Sequence, residues 1–151
     1  MTDVVMERIS NDLKRSPLVK EVAILNTCNR LEIYIVSDKI EETVNVITDL
    51  LRTYSRLPEE ELQKHLFMYS NEQCVRHLMR TSGGLESLVL GEGQILSQVK
   101  DCFSKSKKHN GAGKIINYLF SQAIKAGKRV RNETKISTGA VSISSAAVEL
   151  A

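Results

Sequence analysis

Long apolar runs are missing from this 151-residue chain: no window approaches the ~18 apolar residues that a membrane span needs. The first stretch, MTDVVMERISND, carries acids early and has no apolar core segment, which excludes a secretory signal peptide. Cysteine is scarce as well. Cys28, Cys74 and Cys102 lie far apart, without a C-x-x-C pair and without an H-x-x-x-H. A zinc site built from local motifs is therefore not expected, and any cysteine that matters should matter as a thiol in a reducing compartment. Internal repeats and low-complexity tracts are absent too.

What is there is ordinary in amount and uneven in placement. A hydrophobic share of 42% and a charged share of 26% are enough for a packed core and argue against disorder. The net charge is only +3, yet ten Lys/Arg fall between Lys100 and Lys135 against two acids, Asp101 and Glu133. Residues 41–61 are acid-rich. One half of the molecule could face a polyanion.

Periodicity gives an outline. Val5, Ile9 and Leu13 predict a short helix over 4–15, broken at Pro17. EVAIL reads as a buried strand. LEIYIVS alternates Leu31, Ile33 and Ile35 against Glu32, Tyr34 and Val36, the pattern of a half-buried strand. Ile40, Val44, Ile47, Leu51 and Tyr54 form one stripe of an amphipathic helix, with Asp38 as its expected N-cap. A brief helix should begin at Pro58, and LFMY (66–69) reads as a short strand. Ser70 or Asn71 should cap a helix to about Thr81, stopped by Gly83 and Gly84. A helix is expected after Gly93, then the turn HNGAG, then a long helix with Ile115, Leu119, Ile124 and Val130 on one side. A last helix should start near Ser137 or Thr138. The expected fold class is α+β: a small sheet with flanking helices over residues 1–84, followed by a helical bundle over 85–151.

The polar knot Asn26-Thr27-Cys28-Asn29-Arg30, set between two apolar strands, is the first candidate for chemistry. Most single cysteines in strands are simply small buried hydrophobes. Here the neighbours are polar, and in an extended backbone Cys28 and Arg30 would share a face. A cation beside a thiol favours the attacking thiolate. Alternatively, Arg30 can grip a carboxylate with two parallel hydrogen bonds. His77, between Val75 and Leu78, is the histidine best placed to orient or deprotonate a partner, although helical histidines are more often packed or surface residues.

SLVLGEGQILSQ resembles a dinucleotide fingerprint, but Leu96 occupies the third glycine position and helices follow rather than a βαβ unit, so that reading fails. Ser87, Glu92, Gln94 and Gln98 put polar groups on and after this turn. The plain alternative is a loop and a solvated helix start, with Glu92 favoured by the helix dipole. The basic stretch around KRVRNETK is either a solvated helix face or a phosphate-binding surface. Of its neighbouring aromatics, Tyr118 and Phe120 read as core rather than as stacking platforms.

NTCNRLEIY, HLMRTSGGLESLVLGEGQILSQVK and GKRVRNETKISTGAVSISSAAVELA together closely resemble the N-terminal catalytic region of glutamyl-tRNA reductases. The resemblance implies that Cys28 attacks the ester joining glutamate to tRNA and forms a thioester, which NADPH reduces to glutamate-1-semialdehyde for heme and chlorophyll synthesis. It implies that Thr27, Asn29 and Arg30 line the substrate pocket, with Arg30 on the glutamate carboxylate. Ser87, Glu92, Gly93, Gln94 and Gln98 would complete it, and His77 would support activity. It further implies a homodimer, glutamate-1-semialdehyde aminomutase as a downstream partner, no metal, and a bacterial cytoplasm or plastid stroma. The chain departs from the family pattern at Gly83 and Glu86, and the family's usual opening strand, NADPH-binding domain and dimerising helices have no counterpart. The expectation is acyl transfer without reduction. The competing class is an RNA-binding module that uses the basic helices without catalysis, and the third is a structural helical scaffold.

Overall fold

The computed structural model describes residues 2–136; the helix expected from Ser137 or Thr138 lies outside them. Helix α1 spans Asp3–Arg15 and buries Met6, Ile9 and Leu13. Strands β1 (Glu21–Asn26) and β2 (Leu31–Val36) pair antiparallel, with Glu21 opposite Val36 and Asn26 opposite Leu31. Helices α2 (Ile40–Ser55), α3 (Glu59–Gln63), α4 (Asn71–Gly83), α5 (Gln94–Lys108) and α6 (Lys114–Glu133) follow. The expected α+β class is what the described residues form.

The hairpin is a divider between two cores. One face meets α1 and α2: Ile9, Leu13 and Val22 are fully buried, and Leu31, Ile33 and Ile35 pack against them with Ile47 and Leu50. The other face meets α4, α5 and α6: Leu25, Tyr34, Leu78, Val99, Ile116 and Phe120 form the larger cluster. Tyr34 stands edge-on to Phe120, with ring centroids 5.3 Å apart. Because both faces are covered, the alternation along β2 separates two cores rather than core from solvent. Glu32 and Tyr34, on the side expected to be polar, are 6% and 5% exposed and lie deeper than Leu31, Ile33 and Ile35.

Five local expectations are corrected. Residues 66–69 form no strand, and Leu66, Phe67, Met68 and Tyr69 are all exposed. SLVL is a series of turns and bends, not a strand. Asp38 does not cap α2; its carboxylate pairs with Lys20, and Lys39 holds the N-cap position. On α6 the buried stripe is Ile116, Phe120, Ala123 and Gly127; of the expected stripe, Leu119 and Ile124 pack at its margin and Ile115 is exposed. Phe120 is core as expected, but Tyr118 is 70% exposed.

The N-terminus of α6 is capped from across the fold. The Glu21 carboxylate accepts from the backbone N–H groups of Gly113, Ile115 and Ile116 at 3.0, 3.1 and 2.7 Å. These are orphan donors that a local Ser or Asp caps in most helices. Glu21→Ala should therefore lower the stability of the chain by about 1–2 kcal/mol, read as a fall in urea midpoint. An unchanged midpoint would contradict the cap.

Candidate active site

The polar knot is a tight hairpin turn, and Thr27 builds it. The Thr27 N–H donates to the Arg30 carbonyl at 2.9 Å. The Thr27 Oγ1 accepts from the Asn29 and Arg30 N–H groups at 3.2 and 3.1 Å. A side-chain hydroxyl thus takes a backbone acceptor's place and holds Cys28 and Asn29 at the exposed tip. The chain reverses there, so the expected common face of Cys28 and Arg30, which needs an extended backbone, does not carry across the tip. From Arg30 onward the strand parity does hold, and it runs Arg30, Glu32, Tyr34.

That parity assembles a buried polar relay. Glu32 accepts on one carboxylate oxygen from Arg30 Nη1 at 3.5 Å and from His77 Nε2 at 2.9 Å, and on the other from the Tyr34 hydroxyl. An ionised carboxylate only accepts, so His77 presents its Nε2–H to Glu32. Burial is the largest influence on Glu32 and pushes its pKa up, yet the hydrogen bonds from His77 and Tyr34 and the nearby Arg30 charge together hold it below the ordinary value. Tyr34, buried and facing that carboxylate, is pushed up. The His77 ring is packed by Phe67 and Tyr69, with centroids 5.7 and 5.0 Å away. His77 is therefore tied to Glu32, and among the described residues no hydrogen bond joins it to Cys28. Glu32 is the site residue that the sequence reading passed over. Its position two residues after Arg30 was the available signal.

Arg30 also reaches the loop after α4: Nη2 donates to the Glu86 carbonyl, next to Ser87. This brings the 84–93 loop to the hairpin. Two glycines make the loop. Gly84 ends α4 at φ +79° and Gly91 has the same φ, a region that side chains rarely adopt. The Gly91 N–H donates to the Gly84 carbonyl at 3.0 Å, and a Cβ on Gly84 would meet Gly91 Cα at 3.0 Å. Arg131 clamps the other side, donating to the carbonyls of Gly91 and Glu92 at 3.3 and 2.6 Å. Gly93 holds the N-cap position of α5, and Gln94 and Gln98 lie on its first two turns. The hydrogen bonds of the described residues do not join Gln94 or Gln98 to Cys28.

The basic stretch is partly consumed by structure. Arg131 holds the loop, Arg129 pairs with Glu133, Lys105 with Asp3, and Lys107 lies over the Phe103 ring at 3.8 Å. A charge reversal at Arg131 would break the loop whatever the surface binds.

The three thiols differ in setting. Cys28 is exposed, Cys74 is half-buried and Cys102 is buried. Burial, reinforced by the Glu32 charge, pushes Cys74 up and Cys102 up to about 12. A brief iodoacetamide pulse at neutral pH should label Cys28 well ahead of the other two, as read by peptide mass mapping. Equal labelling of all three in folded protein would contradict this arrangement.

Fold and site define a class: an α+β domain that presents one accessible cysteine on a hairpin tip, backed by a buried arginine–carboxylate–histidine relay. Within that class the chain belongs to the family described as the glutamyl-tRNAGlu reductase N-terminal domain, which matches residues 1–134. It is 55% identical over 149 residues to the glutamyl-tRNA reductase of Acaryochloris marina, covering 99% of this chain and 34% of that protein. It is 59% identical over 135 residues to that of a Cyanothece species, covering 89% and 31%. Among solved structures it is similar to glutamyl-tRNA reductase from Methanopyrus kandleri, with a TM-score of 0.77 and 33% identity over 95% of this chain and 33% of that one. The chain thus spans about a third of the length of these relatives.

Proposed function

We propose that this chain carries the acyl-transfer chemistry of a glutamyl-tRNA reductase in tetrapyrrole synthesis, with Cys28 as the nucleophile. The observation that supports this most is the exposed Cys28 at the tip of a hairpin, two residues before Arg30, a cation held by Glu32 and the Glu86 carbonyl. In this reading the Cys28 sulfur attacks the ester carbonyl carbon of glutamyl-tRNA. The carbon–oxygen bond to the terminal ribose breaks, that oxygen takes a proton, and a glutamyl thioester remains on Sγ. Arg30 supplies the cationic anchor for a carboxylate of the glutamyl group. Thr27 and Asn29 shape the tip, and Ser87, Glu92, Gly93, Gln94 and Gln98 form the facing wall. His77 acts through Glu32, which keeps Arg30 in place.

The reduction step is not assigned to these residues. NADPH would supply a hydride, but the one glycine-rich turn that resembles a nucleotide cradle is closed. A Cβ on Gly91 would meet the Ile136 carbonyl, and Arg131 already donates to the carbonyls of Gly91 and Glu92. No metal step is invoked. The homodimer and the aminomutase partner belong to this proposal as attributes of a full-length reductase. The RNA-binding reading without catalysis is weaker, because several of its cations already serve the fold.

The test is turnover. In water a thioester on Cys28 hydrolyses, regenerating the thiol and releasing glutamate, so the folded chain should deacylate glutamyl-tRNA slowly above background. Cys28→Ala should return the rate to background while tRNA binding persists. Equal rates for parent and variant would reject the proposal.

A further inference from the structure

Several cations between Lys100 and Lys135 serve the fold, but three on α6 do not. Among the described residues, Lys114, Lys125 and Lys128 enter no ion pair. On the acid-rich side, by contrast, Lys39 pairs with Glu42, Arg52 with Asp49 and Glu59, and Lys64 with Glu61. The three lysines are exposed, and with Tyr118, Ser121 and Asn132 they recur at spacings of four and three residues. That spacing puts all six on one face of the helix. Ile116, Phe120, Ala123 and Gly127 take the buried face opposite. No acid interrupts the row. Glu133, beside it, is held by Arg129 through bonds of 2.9 and 3.1 Å.

Helix stability does not account for these charges. Lys114 is the first residue of α6 and stands at the positive end of the helix dipole, where a cation is disfavoured. Lys125 precedes Lys128 by three residues and Arg129 by four, a like-charge spacing that weakens a helix. The row also has a definite relation to the site. At its far end Arg131 turns inward and holds the carbonyls of Gly91 and Glu92, while Lys128 and Asn132 stay outward. The same loop is tied through the Glu86 carbonyl to Arg30, two residues after Cys28. From Asn132 back to Lys114 the helix rises about 27 Å.

We propose that this outward face of α6 seats the phosphate backbone of the tRNA arm that carries the glutamyl ester. The proposal rests on the acyl-transfer reading above and adds the surface that holds the rest of the substrate. A nucleic-acid backbone presents negative charges along a line, and the lysines stand along a line that starts at the end of α6 nearest the site. Tyr118, 70% exposed, offers a hydroxyl, as does Ser121, and Asn132 offers an amide. Such groups suit phosphate and ribose oxygens. Lysine is depleted from the centres of protein interfaces, whereas phosphate contacts are where it is used. Contacts of this kind position the duplex without reading its bases.

The experiment uses the full chain, fluorescein-labelled glutamate-accepting tRNA, and two triple variants with the same loss of charge. One carries Lys114→Gln, Lys125→Gln and Lys128→Gln. The other, on the acid-rich side, carries Lys39→Gln, Arg52→Gln and Lys64→Gln. Binding is read by fluorescence anisotropy from roughly 50 to 200 mM salt. The α6 variant should bind about tenfold more weakly at the lower salt, and its slope of log affinity against log salt should fall by about two. The other variant should keep the parent's slope. Circular dichroism and iodoacetamide labelling of Cys28 should match the parent in both. A minihelix of the acceptor stem alone should reproduce the difference. Equal losses in the two variants would mean attraction by net charge and would overturn the proposal. So would an unchanged slope in the α6 variant, which would leave the row to an acidic protein partner. A loss with whole tRNA but not with the minihelix would put another arm there and would also overturn it. The glutamyl adduct separates this proposal from the reading it rests on. A parent that binds through the row but takes no glutamyl group keeps the row and removes Cys28 as acceptor. An adduct formed equally fast on parent and α6 variant at subsaturating glutamyl-tRNA keeps Cys28 and removes the row.

Discussion

Glu32→Ala should lower the stability of this chain by about 3–5 kcal/mol, the cost of removing one member of a buried ionic network. The reason is what the alanine leaves behind. Arg30, His77 and Tyr34 converge on one carboxylate that is 6% exposed. Without it, a cation, an imidazole and a phenol stay in a site that water hardly reaches. Glu32→Gln keeps an acceptor and the volume and should cost less. The same carboxylate gives the fold a pH dependence. Its native pKa lies below the ordinary 4.5, so its contribution is present above that pH and is lost as the pH falls through the native value. Urea titrations of the parent should therefore weaken below about pH 4.5 relative to Glu32→Gln. Parallel pH profiles for the two would show that the carboxylate is not held in this way.

That residue also shows what was legible in the sequence and what was not. The β2 alternation was visible, but alternation alone does not say which side is wet. Leu31, Ile33 and Ile35 meet one core and Tyr34 meets another, so the strand is covered twice and Glu32 is buried by the second layer. That layer comes from α4, α5 and α6, far along the chain. Local pattern carries no information about it. Helices were legible because their stripes and stops are local: Ile9 and Leu13 on α1, where Met6 rather than the expected Val5 completes the buried stripe, or Gly84 at the end of α4. Caps were less so. Asp38 was diverted by Lys20, and the N-terminus of α6 was claimed by Glu21, about ninety residues earlier. Residues 66–69 have strand composition without a strand, because nothing pairs with them among the described residues.

The site divides in the same way. Cys28, Arg30 and Thr27 could be singled out because polar residues interrupt an apolar run. His77 stood out between apolar neighbours, and its link to Arg30 through Glu32 is a tertiary fact. Arg131 read as one cation in a basic stretch, and only the fold shows it bound to the carbonyls of Gly91 and Glu92.

Cys28→Ser carries the second large effect. Serine keeps the size and the hydrogen bonding of the tip, but an alkoxide is far harder to form than a thiolate at neutral pH, so acyl transfer should fall below detection. Thr27, not Cys28, holds the turn together, so the variant should fold and alkylate like the parent at its two remaining thiols. The decisive measurement follows from this pair. Folded parent chain and Cys28→Ser are each mixed with glutamyl-tRNA, quenched in acid, and weighed intact by mass spectrometry. The account predicts a glutamyl adduct on the parent, mapped to Cys28, and none on the variant. No adduct on a folded parent that binds the tRNA, or an equal adduct on both proteins, would contradict it.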